Sequence, residues 1–325
     1  MVIKGAFLHI RRLIFPNKNW PGIIVQKSLA MKSIFTITIF LLTLGHVILA
    51  QQIPDTAFSF SIQNPKYTPA NGPAILVDAA HNNFHTLDNR YGPFGKLLRT
   101  DGYRLSSNEA TLTKAVLSEC RIFVISNPLD SSNTGNWQLP TPSAFSAAEI
   151  SAINEWVKNG GRLLLIADHM PFAGAAQALA ESFGFEFFNC FAMDNRNRNL
   201  ERFYRSNQSL ADNEITRGVD TVVTFTGSAF KIPKGATPIL ALKNYTISMP
   251  RIAWQFEEDT PTLDSKDFYQ GAYMKYGQGK IVVMGEAAMF TAQLAGPNQN
   301  RVGMNRPEAQ QNCQLLLNII HWLEQ

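Results

Sequence analysis

Cysteine is scarce in this 325-residue sequence: Cys120, Cys190 and Cys313 form no Cys-x-x-Cys pair. That spacing excludes a zinc ribbon and a disulfide-built scaffold. One disulfide stays open as an option, and burial as small hydrophobes fits the three contexts better. No Gly-x-Gly-x-x-Gly fingerprint and no phosphate-binding loop occurs, and Gly160-Gly161 precedes a strand-like run instead of following one. A nucleotide cofactor is therefore not expected. The Gly-x-Ser-x-Gly elbow of serine hydrolases is also missing. Acidic residues are absent from positions 1–50, which carry six Lys or Arg. Without that segment the balance is 23 basic against 25 acidic residues, so no basic footprint for nucleic acid remains.

What is present begins with Met31-Lys32-Ser33, followed by the apolar run Ile34–Leu44 and then Val47-Ile48-Leu49-Ala50 before Gln51. This is the pattern of a secretory signal with cleavage after Ala50, and the run is short for a membrane span. An uncleaved anchor is the alternative. Residues 1–30 make poor sense ahead of such a signal, so Met31 is read as the start. An exported protein, periplasmic or extracellular, is expected. Residues 51–72 read as a polar arm, and 73–325 as one α/β domain with an irregular excursion at about 189–275; a short strand is expected near Phe185–Phe188, Val222–Phe225 is β-prone, and Ile239–Leu242 and Ala272–Lys275 read as further strands.

Within that domain the apolar runs Ala74–Val77, Ile122–Ile125, Leu163–Ala167 and Lys280–Met284 alternate with helical patterns over 91–100, 110–117, 147–158 and 173–183. Continuous apolar runs of this length suit strands buried on both faces, and serial β-α units imply a mostly parallel sheet. Ser146 followed by Glu149 is a capping box that starts one helix. Ligands of such sheets bind at the carboxyl ends of the strands. The residues there are Asp78 with His81, Asn82 and His85, then Asn127, Asp168 with His169, and Glu286.

Each carries two readings. His81 and His85, four apart, share a face if their turn is helical and then suit a divalent metal; otherwise both bond loop backbone. Asp168 and His169 form an acid/base element, or Asp168 caps the next helix and His169 fills a polar pocket. Glu286 orients a partner or acts as a base, or it is an N-cap or a salt-bridge partner. Ser228, in Thr226-Gly227-Ser228-Ala229-Phe230, is the candidate hydroxyl with a glycine beside it. Asn82, Asn127 and Ser228 are taken as substrate-binding, and Asp168, His169 and Glu286 as catalytic.

The order of these stretches resembles the class I glutamine amidotransferase-like superfamily, and more narrowly the exported proteins grouped under the domain of unknown function DUF4350. The resemblance rests on Ile75–Asp78 with His81–His85, Gly160–Pro171, Thr224–Phe230 and Gly285–Phe290, and covers about residues 73–323. It implies a flavodoxin-like three-layer sandwich. The amidotransferase nucleophile, a cysteine at a strand-to-helix elbow, falls on the Asp168–Pro171 turn, where no cysteine stands. The late His-x-Glu pair falls loosely on Gly285-Glu286 and lacks its histidine. Thiol-dependent glutamine hydrolysis is therefore not expected. Two functions remain: a hydrolase acting on a small polar or carbohydrate-like substrate, or a non-catalytic module binding such a ligand on the same rim.

Overall fold

The structure, a computed structural model, describes residues 52–196 and 200–325. The expected signal segment 31–50 and the stretch 1–30 lie outside the described residues. In chain order the elements are β1 (Gln52–Pro54), β2 (Ala74–Asp78), α1 (Gly92–Thr100), β3 (Arg104–Asn108), α2 (Lys114–Leu117), β4 (Ile122–Ser126), α3 (Ala147–Lys158), β5 (Arg162–Ile166) and α4 (Phe172–Glu181). There follow β6 (Glu186–Asp194), β7 (Glu201–Tyr204), β8 (Thr221–Thr224), β9 (Gly227–Lys231), β10 (Thr237–Ala241), β11 (Tyr245–Ser248) and β12 (Thr262–Asp264). The chain closes with β13 (Tyr269–Tyr276), β14 (Gly279–Met284), β15 (Ala292–Ala295), β16 (Asn300–Gly303) and α5 (Gln310–Glu324). No helix among the described residues is long and apolar enough to cross a membrane.

Strands β3, β2, β4, β5 and β14 lie side by side in that order, all parallel. Their side chains alternate between two cores, as a period of two requires. Ile75, Val77, Ile122, Val124, Leu164, Ile166, Val282 and Met284 join one core with α1 and α5. Leu76, Phe123, Ile125, Leu163, Leu165, Ile281 and Val283 join the other with α3 and α4. The capping box of α3 is formed, with Ser146 Oγ accepting from Glu149 N and Glu149 Oε2 accepting from Ser146 N.

The expectation of a mostly parallel sheet needs correction. Beyond β14 the sheet continues antiparallel through β13, β9, β6, β11 and β12, with β10 on β13, giving an eleven-stranded mixed sheet. The stretch expected to be an irregular excursion supplies these strands. Asn189–Asp194 belongs to β6, with a register shift between Phe188 and Ala192. Burial decides it. Phe187, Phe191, Phe203 and Phe230 are fully covered, at about 1.5–3 kcal/mol each, and this outweighs the turn preference of the neighbouring Asn and Arg residues. Cys190 on β6 and Cys313 on α5 are buried, Cys120 is half-buried, and all three are free thiols.

The arm also departs from a plain coil at its start. Strand β1 pairs with β15, and β15 with β16, in a separate three-stranded sheet. This hairpin stands over the carboxyl ends of β5 and β14 and closes one side of the space there.

Candidate functional site

In the parallel half the strand order reverses between β2 and β4, the crevice where open α/β sheets hold their ligands. A cavity of about 520 Å³ opens at this point. His85 reaches it from the turn after β2, Asn127 from the end of β4, and Asp168 and His169 from the end of β5. A larger open groove of about 810 Å³, between residues 55–60 and 294–313, contains none of the candidate residues.

Asn127 is the joint of the site. It is fully buried with φ of 48°, a left-handed backbone that a non-glycine residue adopts at a cost. Its Oδ1 accepts from Asp168 N at 2.9 Å, and its Nδ2 donates to His85 Nδ1 at 3.0 Å. The Asp168 N–H can only donate, so the amide orientation is fixed and His85 Nδ1 must accept. Neutral His85 then carries its proton on Nε2. Burial, together with the positive charge of Arg90, holds the His85 pKa well below its ordinary value.

His169 is fixed in the opposite sense. Its Nδ1 donates to Met170 O at 2.6 Å, which leaves Nε2 of the neutral ring as an acceptor. The ring stacks on Phe191 at 4.5 Å and meets Trp254 edge-on at 4.8 Å. Trp137, Phe84 and Phe172 complete an aromatic wall, with centroids 5.1–5.4 Å apart. Asp168 Oδ1 accepts from His169 N at 2.7 Å, and burial raises the Asp168 pKa. One cavity thus offers a donor imidazole, an acceptor imidazole and a carboxyl group.

Four of the eight candidates lie outside this lining. Glu286 is fully buried and stands one position before Ala287, the N-cap of the short turn Ala288–Phe290, where its carboxyl oxygens accept from Ala288 N at 2.9 Å and Met289 N at 2.7 Å. Burial first, and the charge of Asp168 second, raise its pKa well above the ordinary range. Ser228 sits on β9 and donates to Ala167 O at 2.7 Å, tying two strands together. The neighbouring Gly227 is required by close approach, since a Cβ there would collide with Gly285 O. Asn82 is exposed and donates to Leu129 O.

The shared face of His81 and His85 does not form, because their turn is not helical. His81 Nδ1 meets Asp78 Oδ2 at 2.8 Å and Nε2 meets Glu149 Oε1 at 3.1 Å, so both ring nitrogens are engaged away from the cavity. Burial lowers the His81 pKa, but the two carboxylates outweigh it and the net shift is upward. Among the described residues no three His, Cys, Asp or Glu side chains are grouped to hold a metal. The metal reading of this pair does not fit the geometry.

Arg90, Trp137, Phe172, Trp254 and Gln293, none of them marked in the sequence, complete the cavity together with Thr226. Behind Thr226, whose φ of 75° is strained for a β-branched residue, Glu201 accepts from Thr226 N at 2.7 Å. Burial pushes the Glu201 pKa up to about 7. The Thr226-Gly227-Ser228 stretch signalled this wall, whereas Glu201 left no signal.

The arrangement defines an α/β protein with a large mixed sheet and an ionisable, aromatic-walled cavity at its parallel strand ends. No family model matches the chain, and no curated protein matches it. Among solved structures, the mmIFT52 N-terminal domain superposes with a TM-score of 0.55 at 17% identity, covering 77% of this chain and 97% of that one. A protein described as ThuA-like from Bacteroides uniformis ATCC 8492 gives 0.43 at 13% identity, covering 82% and 94%. A second, from Parabacteroides merdae ATCC 43184, gives 0.41 at 12%, covering 77% and 89%. The first likeness shows a shared fold and brings no activity with it.

Proposed function

We propose that this chain is an exported, flavodoxin-like member of the amidotransferase-like superfamily, of the DUF4350 type, acting as a hydrolase on a small carbohydrate-like substrate. The observation that carries the reading is the pairing of His85 and His169 across one cavity, held in opposite tautomers beside Asp168. His169 Nε2 takes a proton from a water that Asp168 orients, and the water oxygen bonds to carbon as the C–O bond to the leaving group breaks. His85 Nε2–H stabilises the negative charge that develops on oxygen, and the proton on His169 passes to the leaving oxygen. The aromatic wall supports a sugar-like ligand, whose C–H faces pack on indole and phenyl rings. The absence of a thiol on the Asp168–Pro171 turn keeps glutamine hydrolysis out of the reading.

The test is turnover of a panel of 4-nitrophenyl glycosides and esters by the wild type, Asp168→Asn and His169→Gln. Loss of about 10²-fold or more in both variants, with unchanged thermal melting, is the expected result. Equal turnover in all three proteins rejects it. The capping role of Glu286 favours a second reading, a binding module, because that carboxyl group is wholly engaged by backbone. Saturable quenching of Trp137 and Trp254 by sugars without any turnover selects that reading.

A further inference from the structure

Arg90 is the one lysine or arginine side chain lining the cavity, and it has no carboxylate within ion-pair distance among the described residues. Its guanidinium lies 4.0 Å from the Phe84 ring centre, and its Nη1 donates to Phe84 O at 3.4 Å. Stacking of this kind holds the planar group at a fixed orientation. Its Nε is buried out of reach of solvent, and its Nη2 bonds to nothing among the described residues. A partly desolvated guanidinium with no counter-charge is costly to keep unless an anion meets it. Nη2 is the nitrogen free to donate to a carboxylate oxygen, in a charge-assisted hydrogen bond.

The His85 donor stays with the developing charge of the reaction and is not needed for the carboxylate. The Asn127 amide leaves the His85 proton on Nε2, and that nitrogen has no protein partner among the described residues. The acids nearby do not oppose an anion as strongly as their number suggests. Glu286 and Glu201 are kept toward their neutral forms by burial, so Asp168 is the one acid that lines the cavity itself.

We propose that the ligand of this cavity carries a carboxylate, paired with Arg90 through its unbonded Nη2, which makes an acidic sugar the substrate class. This rests on the carbohydrate reading above and narrows it. The aromatic wall takes the ring, and Arg90 takes the acid.

The experiment is calorimetric titration of D-glucuronate, D-glucose, benzoate and inorganic phosphate at matched ionic strength into the wild type, Arg90→Met and Arg90→Lys. Expected is at least tenfold tighter binding of glucuronate than of glucose, lost in Arg90→Met and partly kept in Arg90→Lys. Circular dichroism and melting of both variants report whether the fold holds, and Arg90→Lys keeps the test valid if Arg90→Met does not fold. Three results overturn the proposal: equal binding of glucuronate and glucose, a glucuronate preference untouched by either variant, or phosphate binding above both carboxylates. Absence of measurable binding by both glucuronate and benzoate also overturns it. The two readings separate cleanly: glucose bound as well as glucuronate removes the carboxylate and leaves the carbohydrate reading. Benzoate bound as well as glucuronate, both through Arg90, does the reverse.

Discussion

Asn127 sets the protonation pattern of His85: its amide donates to His85 Nδ1 at 3.0 Å because the other end of the same amide must accept from Asp168 N at 2.9 Å. One side chain thereby joins the ends of β4 and β5 to the turn after β2. It also takes the left-handed backbone that brings its amide to that position.

Replacing Asn127 with Ala leaves the Asp168 N–H and His85 Nδ1 unpaired, which costs about 1–3 kcal/mol. Alanine also pays for φ of 48°, whereas glycine does not. Asn127→Gly is therefore expected to unfold at higher denaturant concentration than Asn127→Ala. Guanidinium melts of both variants check this, and the reverse ranking sinks it.

The protein is expected to be more stable near pH 5 than near pH 8. Glu201, ordinarily at 4.5 and pushed to about 7, holds a proton in the folded chain that the unfolded chain releases, so its contribution is lost as pH rises from 4.5 through 7. The size is on the order of 3 kcal/mol. His81, raised from 6.5, contributes fully below that value and is lost as pH climbs through its folded pKa. On the acid side Glu149, lowered to about 2, contributes above its ordinary 4.5 and is lost as pH falls toward 2. Glu201→Gln should flatten the slope between pH 4.5 and 7 in urea melts taken across that range. His81→Ala should cost about 3–5 kcal/mol at pH 5, since it strands two buried carboxylates.

Trp254 is 49% exposed yet meets the His169 ring at 4.8 Å and Phe191 at 4.6 Å. Its removal opens the aromatic wall with little loss of core. Trp254→Ala is expected to shift the melting temperature by only a few degrees and to weaken ligand binding about tenfold. A large fall in melting temperature with unchanged affinity would assign the ring to the core instead of the site.

The parallel half was legible because its strands are continuous apolar runs and its helices carry their own start signals. Ser146 and Glu149 are an example, two residues three positions apart that satisfy each other locally. Asp168 and His169 were legible for the same reason, since they directly follow such a run. The antiparallel half was legible in part: the runs near Phe185–Phe188, Ile239–Leu242 and Ala272–Lys275 fall on β6, β10 and β13, whereas the rest of β6 and β11 are recruited by burial against distant strands, and the Asn and Arg residues around them read as loop. Arg90 sits in a turn and gains its meaning only from Phe84 and from the cavity it faces.

By itself, then, the sequence determined which runs become buried strands and which polar residues end them, since those depend on neighbours within a few positions. Tertiary structure alone decided the company each polar residue keeps. It sent His81 to Glu149, 68 positions away, and His85 to Asn127, 42 positions away. Two imidazoles four apart part company because hydrogen bonds and burial are settled by proximity in space, and spacing along the chain does not encode that proximity outside a helix.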